Sequence, residues 1–259
     1  MNDPPRERLR IAVISDWHLG DRRGRPQLNA GQLAERIDSY DVDLLINLND
    51  TVSSTRHIDT PPDKTPEEAY LDRWLHYGES FRDRLNCPAI DVAIARDLDI
   101  WDRVATNPPH GIVSMGPVHI LWLAPEYKVR HLSGQQLVWA LKQIRQYPDD
   151  SWLVACHSPV EGAAARTGNV WLKGSDHLKT ALHSYARRAV IVGGHFHYPP
   201  DVAPRREGNK VLTLAGFINS LGGDPNSYAK IVTFEPARIR IENANLTAGC
   251  VDNVWTFEL

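Results

Sequence analysis

Two kinds of apolar pattern alternate along the chain. Unbroken short runs such as "RIAVIS", "DLLINLN", "SWLVACH" and "AVIVGGH" read as buried strands. Apolar residues three and four apart read as amphipathic helices around residues 33–37, over 67–85 through Leu71, Trp74, Leu75, Phe81 and Leu85, and in "SGQQLVWALKQI" and "DHLKTALHSYA". Ser133 and Gln136 have capping-box spacing, and Asp176 is the expected N-cap of the last helix. Pro88 ends the second helical pattern before the strand "AIDVAIA", and "GIVSMGPVHILWLA" reads as two strands joined at Gly116-Pro117.

From Lys210 the pattern changes. "KVLTLAG", "AKIVTFE", "RIRIENA" and "VWTFEL" are successive strand signals, with turns expected at Gly222-Gly223-Asp224-Pro225 and near Gly249. Alternating strands and helices followed by strands alone predict an α/β fold with two facing sheets and helices outside, in one domain over residues 1–259 whose strand-rich portion begins at about 210. The proline-bearing polar segment 53–68 reads as an inserted loop beside a strand end.

Composition narrows the class without naming a substrate. A 259-residue chain with 42% hydrophobic residues can bury a sizeable core. Its formal net charge of −3 does not indicate a nucleic-acid partner. Cys87, Cys156 and Cys250 have no paired spacing, no segment has the length and apolarity of a membrane span, and "MNDPPRERLR" carries no signal-peptide core. These features predict a cytoplasmic protein.

Candidate chemistry gathers where the buried strands end. "AVISDWH" delivers Asp16 and His18, "LLINLND" delivers Asp50, "SWLVACH" delivers His157, and "AVIVGGHFH" delivers His195 and His197. The ends of such strands form the rim where α/β proteins bind ligands. Within "DWH" and "HFH" the i, i+2 spacing places both side chains on one side of an extended segment, so each pair can meet one ion. Oxygen and nitrogen donors without thiolates suit manganese, iron or zinc, and Asp50 is the candidate carboxylate to bridge two ions. Trp17 should point away from the ligands, and Arg22, Arg23 and Arg25 read as a solvated basic turn.

Taken in order, "SDWH", "ND", "RDLD", "CH" and "GGHFH" resemble the calcineurin-like metallophosphoesterase superfamily, whose run is DxH, GD, GNHD, a later His, and GHxH. The resemblance spans residues 9–220, and "LSGQQLVWALKQI" is similar to the branch containing class III cyclic-nucleotide phosphodiesterases. It implies a four-layer α/β/β/α sandwich with two facing mixed sheets and two divalent ions. Asp16, His18 and His197 would hold the first ion, Asp50 would bridge, and Asp97, His157 and His195 would hold the second.

Three departures bear on activity. Asn49 replaces the glycine before the bridging aspartate, a change expected to require only a different backbone conformation. Asp97 replaces asparagine and adds negative charge. Leu98 replaces the histidine of GNHD and can neither donate a proton nor bind a phosphoryl oxygen. General acid help is worth about 10²–10⁴ in rate, so its loss should slow the reaction without abolishing it. Asp99, which follows that position, and His57 in the inserted loop are the remaining catalytic candidates.

The expected activity is a phosphoesterase acting on a phosphate-ester small molecule or nucleotide by attack of a metal-bound hydroxide, with diesters preferred. A phosphomonoesterase or nucleotidase is the second reading. A non-catalytic protein that carries metal and binds a phosphate ligand or a partner is the third, and the substitution at Leu98 favours it.

Overall fold

The computed structural model describes residues 8–19, 28–52, 54–125, 131–160, 172–195, 202–215 and 226–258. In chain order the elements begin with β1 (Leu9–Ile14), α1 (Ala30–Asp38), β2 (Leu44–Asn47), α2 (Pro66–Ser80), β3 (Ala89–Asp91) and α3 (Trp101–Val104). They continue through β4 (Gly111–Met115), β5 (Val118–Leu123), α4 (Gly134–Gln146), β6 (Ser151–Cys156), α5 (Ser175–Tyr185) and β7 (Arg188–Gly193). The last strands are β8 (Arg205–Glu207), β9 (Val211–Ala215), β10 (Tyr228–Phe234), β11 (Arg238–Asn245) and β12 (Cys250–Glu258).

These strands form two six-stranded sheets, ordered β12-β11-β10-β1-β2-β3 and β4-β5-β6-β7-β9-β8. Both are mixed: β1, β2 and β3 are parallel while β10 joins β1 antiparallel, and β5, β6, β7 and β9 are parallel with antiparallel strands at both edges. The strand-rich tail therefore serves both sheets: β9 joins β7 in the second, and β10, β11 and β12 extend the first.

Alternation along each strand divides the apolar residues into three layers. Ile11, Val13, Leu44 and Ile46 of the first sheet meet Ile120, Leu153, Val190 and Leu212 of the second between the sheets. Ala12, Ile14 and Leu45 face outward against Leu33, Ile37, Trp74, Tyr77 and Phe81 of the α1 and α2 side. Leu121, Val154 and Ile191 face outward against Ala140, Ile144, Leu178 and Leu182 of α4 and α5. The result is the α/β/β/α sandwich. Truncating Trp74, which is fully buried, would remove contacts worth about 3–5 kcal/mol.

Local signals hold with three corrections. Gln136 N–H donates to Ser133 Oγ at 3.1 Å, and Gly116 takes φ 61 in the β4–β5 turn. The helix expected through residue 85 stops at Ser80, because Phe81 leaves helical geometry at φ −127, ψ −71. Helix α5 is preceded by Gly174 at φ 84, and Asp176 lies inside the first turn rather than capping it. Of "AIDVAIA" only Ala89–Asp91 pairs as strand, since the chain turns into a 3-10 segment at Ala95–Ile100. The glycine-rich turn at 222–225 lies outside the described residues.

Candidate metal centre

The ends of β1 and β2 in one sheet meet the ends of β6 and β7 in the other. Pairing between β1 and β2 continues past the strands: Leu48 N–H donates to Ile14 O (2.7 Å), Asp16 N–H to Asn49 O (2.8 Å), His18 N–H to Asp50 O (3.0 Å) and Leu19 N–H to Thr51 O (2.7 Å). This continuation is not extended. Asp16 (φ 58), His18 (φ 54), Asn49 (φ 75) and Asp50 (φ 55) all sit in the left-handed region, as does His195 (φ 76).

Five of the seven described non-glycine residues with positive φ therefore lie at this rim. Each such conformation costs on the order of 1 kcal/mol, and clusters of them mark functional sites. The side chains of Asp16 and His18 converge because the backbone turns, which corrects the expectation of strand alternation. Trp17 between them points into the core, 5.4 Å from Phe81 and 6.4 Å from Tyr77 between ring centroids. Asn49 keeps the left-handed φ that a glycine would supply, so no different backbone conformation is needed; asparagine tolerates this region better than most residues.

Two trios of donor atoms result, Asp16–His18–Asp50 and Asp50–His157–His195, with the atoms of each within 4.8 Å of one another. Asp50 belongs to both. This is the arrangement expected for two ions sharing one carboxylate.

The surrounding bonds fix the directions of His157 and Asp16. His157 Nδ1 lies 2.8 Å from the carbonyl of Leu48, which can only accept, so Nδ1 carries the proton and Nε2 offers its lone pair 3.3 Å from His195 Nδ1. Asp16 Oδ2 accepts from Ser15 Oγ at 2.5 Å and from His195 N–H at 2.8 Å. The second bond ties the two sheets together.

The glycines of "GGH" permit this approach. A Cβ on Gly193 would lie 2.5 Å from Pro159 Cα, and one on Gly194 would lie 2.1 Å from Ser15 Oγ and 3.0 Å from Asp16 Oδ2. Beside His157, the Cys156 side chain packs in the outer core with Ala140 and Leu178 and belongs to neither trio, and burial pushes its thiol up to about 12.

Asp50 is ionised. Burial alone would raise its pKa, but the charges of Arg96 first, then His18 and His157, outweigh burial and hold it well below the carboxylate range. A carboxylate kept charged, beside His157 with its Nδ1 proton committed to a carbonyl, fits a divalent cation.

The other expected residues are placed differently. Asp97 is fully buried and belongs to neither trio; one oxygen accepts from Tyr70 O–H and the other from Asn49 Nδ2 at 2.8 Å. Burial pushes Asp97 up to about 6, against lowering by Arg96, Tyr70 and Asn49. Leu98 is 43% exposed, while Asp99 and His57 are exposed and in neither trio. His197 and the arginines at 22, 23 and 25 lie outside the described residues.

The roles of three residues escaped the sequence reading. Asn49 Oδ1 accepts from Asp50 N–H at 2.6 Å, so its amide orients Asp97 and Asp50 together. Tyr70 on α2 holds both Asp97 and Arg96. Arg96 donates to Asp50 through Nη2 and shares that nitrogen with Val52 O at 3.0 Å. Arg96 opens "RDLD", the segment already singled out in the sequence, which was the available signal.

No family model matches the sequence, and a search of curated proteins finds no match. Solved structures do match. A dimetal phosphatase from Danio rerio superposes with a TM-score of 0.71 at 13% identity, covering 99% of both chains. A purple acid phosphatase from yellow lupin seeds gives 0.64 at 14%, covering 97% of this chain and 54% of the lupin chain. GAP50, described as the anchor in the inner membrane complex of Plasmodium, gives 0.59 at 10%, covering 97% and 89%. Four layers, two six-stranded mixed sheets and these superpositions give the chain the fold shared by the dimetal phosphatase and the purple acid phosphatase.

Proposed function

We propose that the protein is a divalent-metal-dependent phosphoesterase. The observation that carries this reading is the pair of donor trios sharing Asp50 at the sandwich rim. Manganese, iron or zinc suits the oxygen and nitrogen donors. When bound, the ions supply neutralisation of phosphoryl charge and activation of a water.

The chain's own residues do the rest. Asp16, His18, Asp50, His157 and His195 hold the ions, with His197 as a further ligand by the resemblance. Asn49 and Tyr70 orient Asp97, which stands as a positioning residue for Asp50 or as a ligand after rearrangement. By the resemblance Leu98 takes the position of the general acid, and its side chain is apolar and exposed. That favours esters whose leaving group needs no proton, and the similarity of the α4 segment to class III phosphodiesterases favours diesters over monoesters. The three cysteines are free, which supports a cytoplasmic setting. Among the described residues no helix is long and apolar enough to cross a membrane.

A non-catalytic reading has specific support as well: the leucine at position 98 and the guanidinium on Asp50. The same fold in a protein described as an anchor agrees with it. Manganese-dependent hydrolysis of activated aryl phosphodiesters and monoesters, with His195→Ala as the control, decides. Turnover lost in the control supports the enzyme, and the better ester sets the class. Metal binding without turnover of either ester would move the reading to the non-catalytic protein.

A further inference from the structure

We infer that Arg96 is a tethered rival to one of the two ions, so that the two halves of the site load with different affinities. The inference rests on the reading that both trios bind divalent cations. Asp50 is the only residue common to the trios among those described. Its Oδ1, which lies 3.9 Å from His18 Nδ1, is also the atom that Arg96 Nη2 holds. The guanidinium therefore occupies the carboxylate oxygen on the His18 side.

This contact is built into the fold. Arg96 Nη2 also donates to Val52 O at 3.0 Å, Nε donates to Tyr70 O–H at 3.2 Å, and the guanidinium carbon lies 5.8 Å from the Tyr70 ring centroid. Asp97 adds a fourth tie, 3.7 Å from Nε. Backbone, ring and two carboxylates thus aim one permanent cation at the shared ligand.

The consequences are directional. In the metal-free protein Arg96 offsets the charge of Asp50 and Asp97, which would otherwise repel each other. An ion entering between Asp16, His18 and Asp50 must displace this charge-assisted hydrogen bond or share the oxygen with it. An ion between Asp50, His157 and His195 can take the carboxylate oxygen that Arg96 does not hold. The first ion accordingly loads at the His157–His195 half, and the second loads at the His18 half about tenfold or more weakly, the worth of a charge-assisted hydrogen bond.

The test is manganese titration of the wild-type protein and Arg96→Met, followed by calorimetry and by electron paramagnetic resonance, which distinguishes single from paired manganese. The wild type should take up one ion tightly as an isolated centre and the second about tenfold or more weakly. Arg96→Met should bind the second ion tighter by a similar factor while the metal-free variant melts at a lower temperature. Adding His18→Ala to Arg96→Met should remove the tightened second ion and leave the first. Two ions bound by both proteins with unchanged affinities would overturn the inference and leave the metal site standing. Failure of either protein to bind manganese, zinc or iron would overturn the underlying reading too. A merely structural Arg96 would lower the melting temperature of Arg96→Met without tightening any ion.

Discussion

Replacing Asp97 with asparagine should change how stability depends on pH in the metal-free protein. Asp97 is fully buried, accepting from Tyr70 O–H and, at 2.8 Å, from Asn49 Nδ2. Burial raises its pKa to about 6 from 3.8. A raised native pKa means that the folded protein binds the proton more tightly than the unfolded chain. The stabilisation is therefore fully present below the unfolded value and is lost as pH rises through about 6. The whole shift corresponds to about 3 kcal/mol, of which about 2 kcal/mol falls between pH 4.5 and 7.5.

Asparagine has no such titration. Urea denaturation of wild type and Asp97→Asn in the presence of chelator should show the stability difference moving by about 2 kcal/mol in favour of the variant from pH 4.5 to 7.5. The variant also sets its amide against that of Asn49, whose Oδ1 is committed to Asp50 N–H at 2.6 Å. This cost shifts both ends of the comparison equally and leaves the slope. Parallel curves for the two proteins would refute the buried, proton-holding Asp97.

Two other substitutions test separate parts of the centre. Leu98→His should raise turnover of diesters with poor leaving groups by up to about 10²–10⁴ and of activated aryl esters much less; equal effects on both would remove the general-acid argument. Gly194→Ala puts a Cβ 2.1 Å from Ser15 Oγ and should cost about 1–3 kcal/mol in denaturant unfolding together with weakened metal uptake, whereas unchanged binding would show that Asp16 can move.

Much of the centre was legible because buried strands announce their ends. The strand pattern sets His157, Asp16, His18, Asp50 and His195 at the ends of apolar runs, where the structure gathers them into the two trios. The geometric reason for their convergence was not legible. Spacing of i, i+2 suggested an extended segment, but φ values of 58 and 54 at Asp16 and His18 bring the two side chains together through left-handed turns. Contacts distant in sequence were hidden as well. Tyr70 is not among the positions the helical pattern picks out, and only the fold brings it to Asp97 and Arg96. Asn49 and Asp97, which looked like two unrelated departures from the family pattern, are hydrogen-bonded to each other. Arg96, which opens "RDLD", lies on the carboxylate that both trios share.

Metal content at saturating manganese, measured on wild type and on His18→Ala, His157→Ala and Asp50→Asn, tests the shared carboxylate most directly. Common use of Asp50 by both trios predicts two ions in the wild type, one in each histidine variant, and none held in Asp50→Asn. An Asp50→Asn protein that folds and still binds one ion as tightly as the histidine variants would contradict it.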